Sequence, residues 1–452
     1  MASIAGALAN VKDYFTTYVP DTLILQACQE VGHEWRERQL GPVVTTYLFI
    51  QQVAHGNTAC THLRHLSGMP VKASAYCQAR SRLPVEFFTR LQARVTDAVR
   101  DRLPRVACRR WHRHRLFFLD GSGFSMPDTP ELQETFGQPG QQAPGCGFPS
   151  AHLMVLFDHP TGLLRKALPL PLHTHDMAHA SALHPELHPG DLLAGDRAFA
   201  TYAHLALCKQ RQLHGLFRAH QKQIISFRVG RPHQPKRRPA PEQKGLPTSR
   251  WLKRLGRRDQ LVEYLKPAAR PKWMTEEEWE RLPASIVVRE LRYRIRVPGV
   301  RTREVTLVTT LVDPQRYSAK ELARLYGLRW GLEVNLRHLK QTMKMDILRC
   351  TTVAGVLKEL AMFALVYNLV RRVMAAAAQR QKVAIDRISF IDAWRWLREA
   401  EPITALPDLV VNPERPGRYE PRVRKRRPKE FPVMKKPRAE LRKAFLGRQA
   451  RA

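Results

Sequence analysis

YGLRWGLEVNLRHLKQTMK, residues 326–344, has the spacing of an amphipathic α-helix. At about 100° per residue its apolar side forms an ordinary core seam: Leu325, Leu328, Leu332, Leu336, Leu339 and Met343. Its polar side carries one carboxylate among hydroxyl and cationic groups: Tyr326, Arg329, Glu333, Arg337, Lys340 and Lys344. Arg329 and Arg337 lie one helical turn before and after Glu333, which suits a metal ion beside a phosphate. A solvated face joined by i,i+4 ion pairs gives the same pattern.

The chain is strongly basic. Its 452 residues include 75 Lys and Arg against 40 Asp and Glu, which gives a formal net charge of +35. With 44% hydrophobic residues, this is the composition of a folded protein with a polyanionic partner, most simply nucleic acid. Short, tail-dominated nucleic-acid proteins are a poor match, because this length accommodates two or more domains with substantial cores. We therefore expect an enzyme that acts on nucleic acid.

The cysteines and the apolar segments indicate the compartment. Seven cysteines are scattered without a CxxC pair, which argues for a reducing compartment and against a disulfide framework or a structural zinc site. The N-terminus lacks the basic start and long apolar run of a signal peptide. Residues 353–374 are apolar but include Lys358, Glu359 and Arg371, which predicts a buried helix and not a membrane span. We expect a soluble cytoplasmic protein without membrane contact.

Two carboxylates follow predicted strands. The apolar run at residues 116–119 ends in Asp120 and a Gly-Ser-Gly turn, and a second short strand ends at Asp196. Together with Glu333, they would supply the carboxylates that hold two divalent ions about 3.5–4 Å apart in phosphodiester chemistry. A lone Asp after a strand commonly caps a turn. The prediction therefore depends on the combination of these strand ends with the basic helix face.

Histidines are frequent before the second of these strands: His173, His175, His179, His184 and His188. With Asp176 they could suggest a metal cluster. Their spacing matches no familiar zinc site, so an exposed polar loop is the prediction.

Changes of pattern along the chain divide it into five regions. The N-terminal region is helical, and its segment SGMPVKASAYCQARSRLP places Arg80 and Arg82 on a short helix of the kind that can lie in a DNA groove. A plain helical bundle explains this pattern equally well. The remaining regions are the Asp-bearing strands, a Pro- and Arg-rich, partly β insertion, the Glu-bearing helix and a basic tail. The predicted boundaries are 1–105 for the helical DNA-binding region, 106–220 and 306–375 for the two parts of an α/β core, 221–305 for the insertion and 376–452 for the C-terminal basic region.

Three ordered motifs resemble those of a known family. They are LDGS around Asp120, GDRAF around Asp196, and a tyrosine, arginine, glutamate and lysine spaced as Tyr326-(two residues)-Arg329-(three)-Glu333-(six)-Lys340. They are similar to the motifs of the DDE transposases of bacterial insertion sequences, specifically the family-four group with its YREK signature. The resemblance covers about residues 70 to 375 and includes the insertion before Glu333.

The resemblance implies an RNase H-like α/β core with an inserted mainly-β subdomain, and a transposase that cuts the ends of its element. It implies that Asp120, Asp196 and Glu333 bind Mg²⁺, with Mn²⁺ as a substitute. Further residues are expected to contact DNA phosphates: Tyr326, Arg329, Lys340, Arg337, Lys344, Arg80 and Arg82. In this group water first frees a 3′-OH, which forms a hairpin on the opposite strand; the hairpin is reopened and the end is joined to target DNA. The expected partners are double-stranded DNA and a second protomer, as a homodimer on DNA.

The residues alone imply in-line phosphoryl transfer and leave the nucleophile open. One alternative is a metal-dependent nuclease that cuts without joining. Another is a catalytically inactive DNA-binding protein derived from a transposase. Hairpin formation requires a base to leave the stack, and aromatic side chains can receive it. The candidates for this role are Trp251, Trp273, Trp279 and Trp330.

Overall fold

The computed structural model describes most of the chain in nine ranges: 18–36, 38–104, 108–140, 142–174, 176–234, 245–295, 304–399, 405–414 and 435–449. Its N-terminal part is a bundle of helices: α1 (Asp21–Glu30), α2 (Pro42–Ala54), α3 (Leu63–Ser67), α4 (Ala73–Arg82) and α5 (Val85–Asp101). Helix α2 is buried along almost its whole length, because other helices surround it. Helix α5 buries a stripe of apolar residues at helical spacing: Phe87, Phe88, Leu91, Val95 and Val99.

A nine-stranded sheet forms the centre of the molecule, in the order β3-β2-β1-β4-β5-β9-β8-β7-β6. The strands of its first part are β1 (Leu116–Ser125), β2 (Ser150–His159), β3 (Leu164–Pro171), β4 (Leu192–Gly195) and β5 (His214–Arg218). Strand β1 pairs in parallel with β4, and β4 with β5, whereas β2 runs antiparallel to β1 and β3. Strands β1, β2 and β3 form an antiparallel meander, and β4 and β5 continue the sheet beyond β1 in parallel with it. This is the topology of an RNase H-like core. The predicted fold class is confirmed.

The second part of the sheet continues the first without interruption. Its strands are β6 (Arg250–Gly256), β7 (Asp259–Leu265), β8 (Ser285–Arg294) and β9 (Glu304–Thr309). Strand β9 lies between β5 and β8 and is antiparallel to both. The described part of the predicted insertion is thus mainly β, with the short helix α9 (Glu276–Glu280). The connection between β8 and β9, residues 296–303, lies outside the described residues.

The connections and the C-terminal part add further helices. They are α6 (Pro130–Phe136), α7 (Asp176–His179), α8 (Tyr202–Gln210), α10 (Ala319–Gly327), α11 (Trp330–Arg337), α12 (Val353–Arg380), α13 (Phe390–Glu399) and α14 (Arg438–Gln449). Most of the basic tail between α13 and α14 lies outside the described residues.

Helix α12 is the core helix that joins the N-terminal bundle to the sheet. It packs against α5, α2, α13 and β3. Its length and composition would allow it to cross a membrane, yet most of it is buried inside the protein, as predicted. Its buried polar groups have partners within the protein: Asn368 exchanges hydrogen bonds with the backbone of Leu164, and both Arg371 Nε and Nη2 donate to the Thr161 carbonyl. Buried polar groups that are satisfied in this way fix how the elements meet.

The prediction of one regular helix through residues 326–344 is wrong in two places. Bonds from Leu328 N to Leu325 O and from Arg329 N to Tyr326 O have 3₁₀ spacing and separate α10 from α11. A π-helical turn (His338–Thr342) then follows α11. The predicted apolar seam is otherwise buried, but Leu328 is 46% exposed because the tightened turn rotates it out of the seam. Ser318 caps α10 in a capping box with Glu321, which lies three residues after it.

Replacing Asn368 with alanine should destabilise the protein by about 1–3 kcal/mol. The change leaves the buried Leu164 N–H without its acceptor, at 2.8 Å. It also removes one of the two donors to Thr96 Oγ1, at 2.8 Å, the other being Gln92 Nε2. The measurement is urea unfolding followed by circular dichroism. Gln379→Ala, at an exposed position of the same helix, is the control. Equal stability of the two variants would contradict the role given to Asn368.

Candidate active site

The pairing of β1 with β4 brings Asp120 and Asp196 next to each other. The last parallel pair joins Leu119 to Gly195, and the two aspartates are the residues that follow in each strand. Strand β1 does not end at Asp120, as the sequence predicted, because residues 121–125 remain paired with β2. Asp120 therefore lies within β1, at the point where β4 leaves its side. The two carboxylates are neighbours, as expected, but the Gly-Ser-Gly turn expected after Asp120 does not form.

Gly195 allows this close approach. A Cβ atom at this position would lie 3.1 Å from the Leu119 carbonyl oxygen and 2.8 Å from the Phe199 ring. Phe199 ends the 3₁₀ turn that follows Asp196, and Thr201 then caps α8 by accepting a hydrogen bond from His204 N. The GDRAF motif is thus a tight strand-to-helix connection in which glycine and phenylalanine pack against each other.

Arg329 connects the sheet to the helix that carries Glu333. Its Nη1 lies 3.4 Å from Asp120 Oδ2, and its Nη2 donates to Glu333 Oε1 at 2.8 Å. The side chain of Arg329 is 19% exposed and that of Asp120 is 20% exposed, so the contact is largely shielded from water. A half-buried guanidinium between two carboxylates fixes both of them more firmly than a surface ion pair would.

The carboxylates influence each other's protonation. Burial raises the pKa of Asp120 to about 6, and the negative charges of Asp196 and Glu333 act in the same direction. Arg329 and the Gly121 N–H, which donates to Asp120 at 2.9 Å, oppose this shift without cancelling it. The three carboxylates outnumber the guanidinium groups that contact them, and their donor atoms are all oxygen, which is the set that Mg²⁺ and Mn²⁺ prefer.

The chemistry of these donors, carboxylate oxygens alone, suits a divalent ion. Among the described residues, Asp120, Asp196 and Glu333 do not bring their ligand oxygens to within 4.8 Å of one another. Arg329 contacts two of the three carboxylates. Asp120, Asp196 and Glu333 are the residues that would hold such an ion.

Lys340 and Tyr326, two of the predicted phosphate-binding residues, lie beside the carboxylate cluster. Lys340 Nζ donates to Ser122 Oγ at 2.9 Å, and Ser122 lies two residues after Asp120 on the same face of β1. Tyr326 is buried, and burial raises the pKa of its hydroxyl while Arg329 and Arg218 oppose the shift. The π-helical turn contains Lys340 and contributes to the position of its side chain.

Three polar residues near the carboxylates were not singled out from the sequence. Ser122 is the partner of Lys340, and alternation along β1 would have placed it beside Asp120. Arg218 ends β5, one residue after the Phe217–Gly195 pair, so parallel pairing places it beside Asp196. Arg197 Nε lies 3.8 Å from Asp196 Oδ2. Each could have been found by counting strand positions once the parallel order was known.

The other predicted DNA-binding cations lie elsewhere. Arg337 is exposed and lines a cavity of about 1320 Å³ on another side of α11. Lys344 follows the π-helical turn with a φ of 67°, and its side chain lies against Gly56. Arg337 still lies one α-helical turn after Glu333, at the end of α11. The π-helical turn changes the spacing before Lys344, so the prediction that Lys344 continues the stripe of Glu333 is wrong.

The two arginines of α4 differ from each other. Arg80 lies over the Phe49 ring at 4.7 Å and donates to Gln52 and Cys350, so its guanidinium is engaged in packing. Arg82 is exposed and lines a cleft with Arg36 and Arg38. The bundle interpretation of this segment therefore fits Arg80, whereas Arg82 is available to a ligand.

The four candidate tryptophans differ in how much of each side chain is exposed to solvent. Trp279 is 8% exposed and meets Tyr202 edge to face, and Trp273 packs against the same apolar cluster. Trp251 has a buried indole Nε1. Trp330, the first residue of α11, is 63% exposed and follows Arg329 directly. Trp330 is therefore the candidate that a base can reach.

Replacing Asp120 with asparagine should stabilise the metal-free protein at neutral pH, by on the order of 1–3 kcal/mol. A carboxyl whose pKa is raised on folding destabilises the folded state once the unfolded chain ionises. The advantage of the variant should thus be absent below about pH 4, grow up to about pH 6 and stay constant above it. Urea unfolding in EDTA across this range measures it. Asp97→Asn, at an exposed site, is the control, and a wild-type protein more stable than the variant at pH 7 would contradict the prediction.

Comparison with known proteins agrees with the family predicted from the motifs. A family model described as "Transposase DDE domain" matches residues 111–369. Transposase InsG for insertion sequence element IS4 of Escherichia coli (strain K12) is 25% identical over 386 residues, which cover 81% of this chain and 79% of that protein. A cryo-EM structure of a piggyBac transposase synaptic complex with hairpin DNA aligns with 85% of this chain and 78% of its own, at 10% identity and a TM-score of 0.43. The chain belongs to the family of transposases with a DDE domain.

Proposed function

We propose that this transposase cuts the ends of a bacterial insertion sequence by Mg²⁺-dependent phosphoryl transfer and joins them to target DNA. The observation that supports the proposal most directly is the Arg329 contact, at 3.4 Å to Asp120 and 2.8 Å to Glu333, beside the strand end that carries Asp196. Arg329, directly before α11, and Glu333 of α11 contact or approach Asp120 of β1 there, and Asp196 follows the neighbouring strand, in a chain with a formal net charge of +35.

Asp120, Asp196 and Glu333 would hold Mg²⁺, with Mn²⁺ as a substitute. Such ions supply activation of the attacking oxygen and stabilisation of the leaving oxygen. Arg329 fixes the directions of Asp120 and Glu333, and its planar fork suits the non-bridging oxygens of the phosphate next to them. Lys340, held by Ser122, adds a point charge on the other side of Asp120. Tyr326 offers a protonated hydroxyl as a donor.

Strand joining requires the 3′-OH freed by water to act as the next nucleophile. We propose that it first attacks the opposite strand to form a hairpin, which is reopened before joining. A sharply bent hairpin releases a base from its stack, and the exposed indole of Trp330 is available to receive it. The position of Trp330 directly after Arg329 would keep the displaced base next to the phosphate.

DNA binding extends beyond the carboxylates. Arg82 and the neighbouring Arg36 and Arg38 form a basic cleft on the helical region, suited to a DNA backbone. Arg337 and Lys344 are exposed and available to flanking phosphates, whereas Arg80 would act through packing. Two element ends must be cut and joined together, so we propose a homodimer on DNA. The site of action is the cytoplasm, at the nucleoid.

The first test is incubation of the purified protein with DNA that carries its own element's ends, with Mg²⁺ or EDTA. We expect metal-dependent cuts at the element boundary and slow hairpin species on a denaturing gel. Glu333→Gln should retain DNA binding and lose cleavage by at least about 10²-fold, since it removes a metal ligand. Glu134→Gln, an exposed carboxylate of α6, is the matched control.

The remaining outcomes separate the alternatives. Free 3′-OH ends without a joined product would identify a nuclease. DNA that is retarded but never cut with any divalent ion would identify an inactive DNA-binding protein. A Glu333→Gln variant that cleaves but no longer binds would contradict the residue assignment.

Lys340→Ala should lower the cleavage rate about 10²-fold, the usual effect of removing one group that stabilises transition-state charge. Ser122→Ala should cost about tenfold or less, because it only loosens the lysine. Single-turnover cleavage at saturating protein measures both rates, and Lys320→Ala, an exposed lysine of α10, serves as control. Equal losses in Ser122→Ala and Lys340→Ala would contradict this division of roles.

A further inference from the structure

Three potential metal ligands meet in the core behind the Asp196 strand. His184 Nε2 lies 3.0 Å from His204 Nε2, and Cys208 Sγ lies 4.0 Å from His184 Nε2. The three ligand atoms are all within 4.8 Å of one another. His184 is 2% exposed, and His204 and Cys208 are fully buried. The sequence predicted an exposed polar loop at His184, and this is wrong because the 3₁₀ segment Ala180–Glu186 folds onto α8.

The local structure explains why these side chains converge. His204 and Cys208 are four residues apart on α8 and so share one face of that helix. His184 comes from the connection between β3 and β4 and stacks on His204, with ring centroids 5.1 Å apart. Leu183, Ala203 and Phe199 belong to the same buried apolar cluster. Polar side chains in such surroundings need partners.

The hydrogen bonds define which ring nitrogens carry protons. His204 Nδ1 lies 2.9 Å from the Phe199 carbonyl oxygen, which can only accept, so Nδ1 donates and Nε2 has a free lone pair. His184 Nε2–H must then donate to His204 Nε2, and His184 Nδ1 is left as a buried acceptor. It has no hydrogen-bond partner within the described part of the chain. An imidazole whose Nδ1–H is held by a backbone carbonyl is the usual form of a metal-binding histidine.

We propose that His184, His204 and Cys208 bind a Zn²⁺ ion through Nε2, Nε2 and Sγ. Two imidazoles and one thiolate are the donors that borderline-soft Zn²⁺ takes. Zn–N bonds of about 2.0–2.1 Å and a Zn–S bond of about 2.3 Å separate tetrahedral ligands by roughly 3.3–3.6 Å. The two separations given above, 3.0 and 4.0 Å, lie on either side of this range. A water molecule would occupy the fourth position.

Binding has a defined proton balance. The Zn–S bond forms as the Cys208 thiol loses its proton to solvent. The His184 proton moves from Nε2 to Nδ1, which frees Nε2 for the metal. No electron is transferred, and one proton is released for each ion bound.

The ion would connect two parts of the chain that border the carboxylates. It would tie the 3₁₀ segment to α8, and through the Nδ1 bond of His204 to the turn that follows Asp196. Its nitrogen and sulfur ligands make the site chemically distinct from the all-oxygen carboxylate cluster.

The test combines metal analysis with Co²⁺ substitution in the full chain. Protein purified from zinc-supplemented medium should contain about one zinc per chain. Replacing it with Co²⁺ should give a thiolate-to-cobalt charge-transfer absorption that is absent in Cys208→Ala. Cys77→Ala must keep the absorption, because it disrupts the other close cysteine pair, Cys60 and Cys77 at 3.6 Å. Co²⁺ on carboxylates gives no such band.

A stability measurement provides a second readout. Zn²⁺ should raise the Tm of the wild type by several degrees and leave Cys208→Ala unchanged, while Cys28→Ala, another fully buried cysteine, should still respond. If Cys208→Ala does not fold, the substitute measurement is proton release when Zn²⁺ is titrated into the metal-free wild type in weak buffer. Release of about one proton per Zn²⁺ supports the site. A wild type that contains no zinc, gives no thiolate band with Co²⁺ and melts identically in Zn²⁺ and EDTA overturns it.

Discussion

The contact of Arg329 with Asp120 and Glu333 joins the sheet to the helix that follows it. Each of these groups is costly to bury alone, and each is tolerated because the others are present. The position of α11 over the end of β1 therefore depends on charge as well as on its apolar seam. Burial is the main reason why the pKa of Asp120 rises to about 6, and the charge of Arg329 opposes that rise without cancelling it.

The helical bundle and the sheet are held together in a different way. Helix α12 carries its polar side chains into the core, where the Glu359 carboxylate accepts from the backbone of Arg349 and Cys350 and Lys358 donates to carbonyls at the end of α4. These bonds fix the orientation of α4, and with it the cleft that Arg82 lines. Burial of apolar surface supplies most of the free energy that stabilises this packing. The hydrogen-bonded polar groups select a single arrangement of the helices.

Much of this could be predicted from the sequence because it depends on local signals. A few consecutive residues are enough to predict each of three features: the strand before Asp196, the capping box at Ser318 and the family motifs. The continuation of β1 beyond Asp120 depends on pairing with residues 150–154, which no local pattern reveals. The 3₁₀ and π turns around α11 arise from packing that overrides the helical period. The helical period therefore assigned Leu328 and Lys344 to the wrong faces. His184 and Cys208 meet across a connection whose course the sequence does not specify.

The order of strands in the sheet has a consequence for synthesis on the ribosome. Strand β5 acquires its second neighbour, β9, only when residues 304–309 have emerged, and until then one edge of the growing sheet is open. Glu333 and Arg329 follow later still. A nascent or truncated chain can thus contain both strand aspartates while lacking Glu333 and Arg329, and it also lacks α12, against which the helical bundle packs. The completion of the carboxylate cluster and the helix that joins the bundle to the sheet thus both depend on a part of the core that is synthesised late.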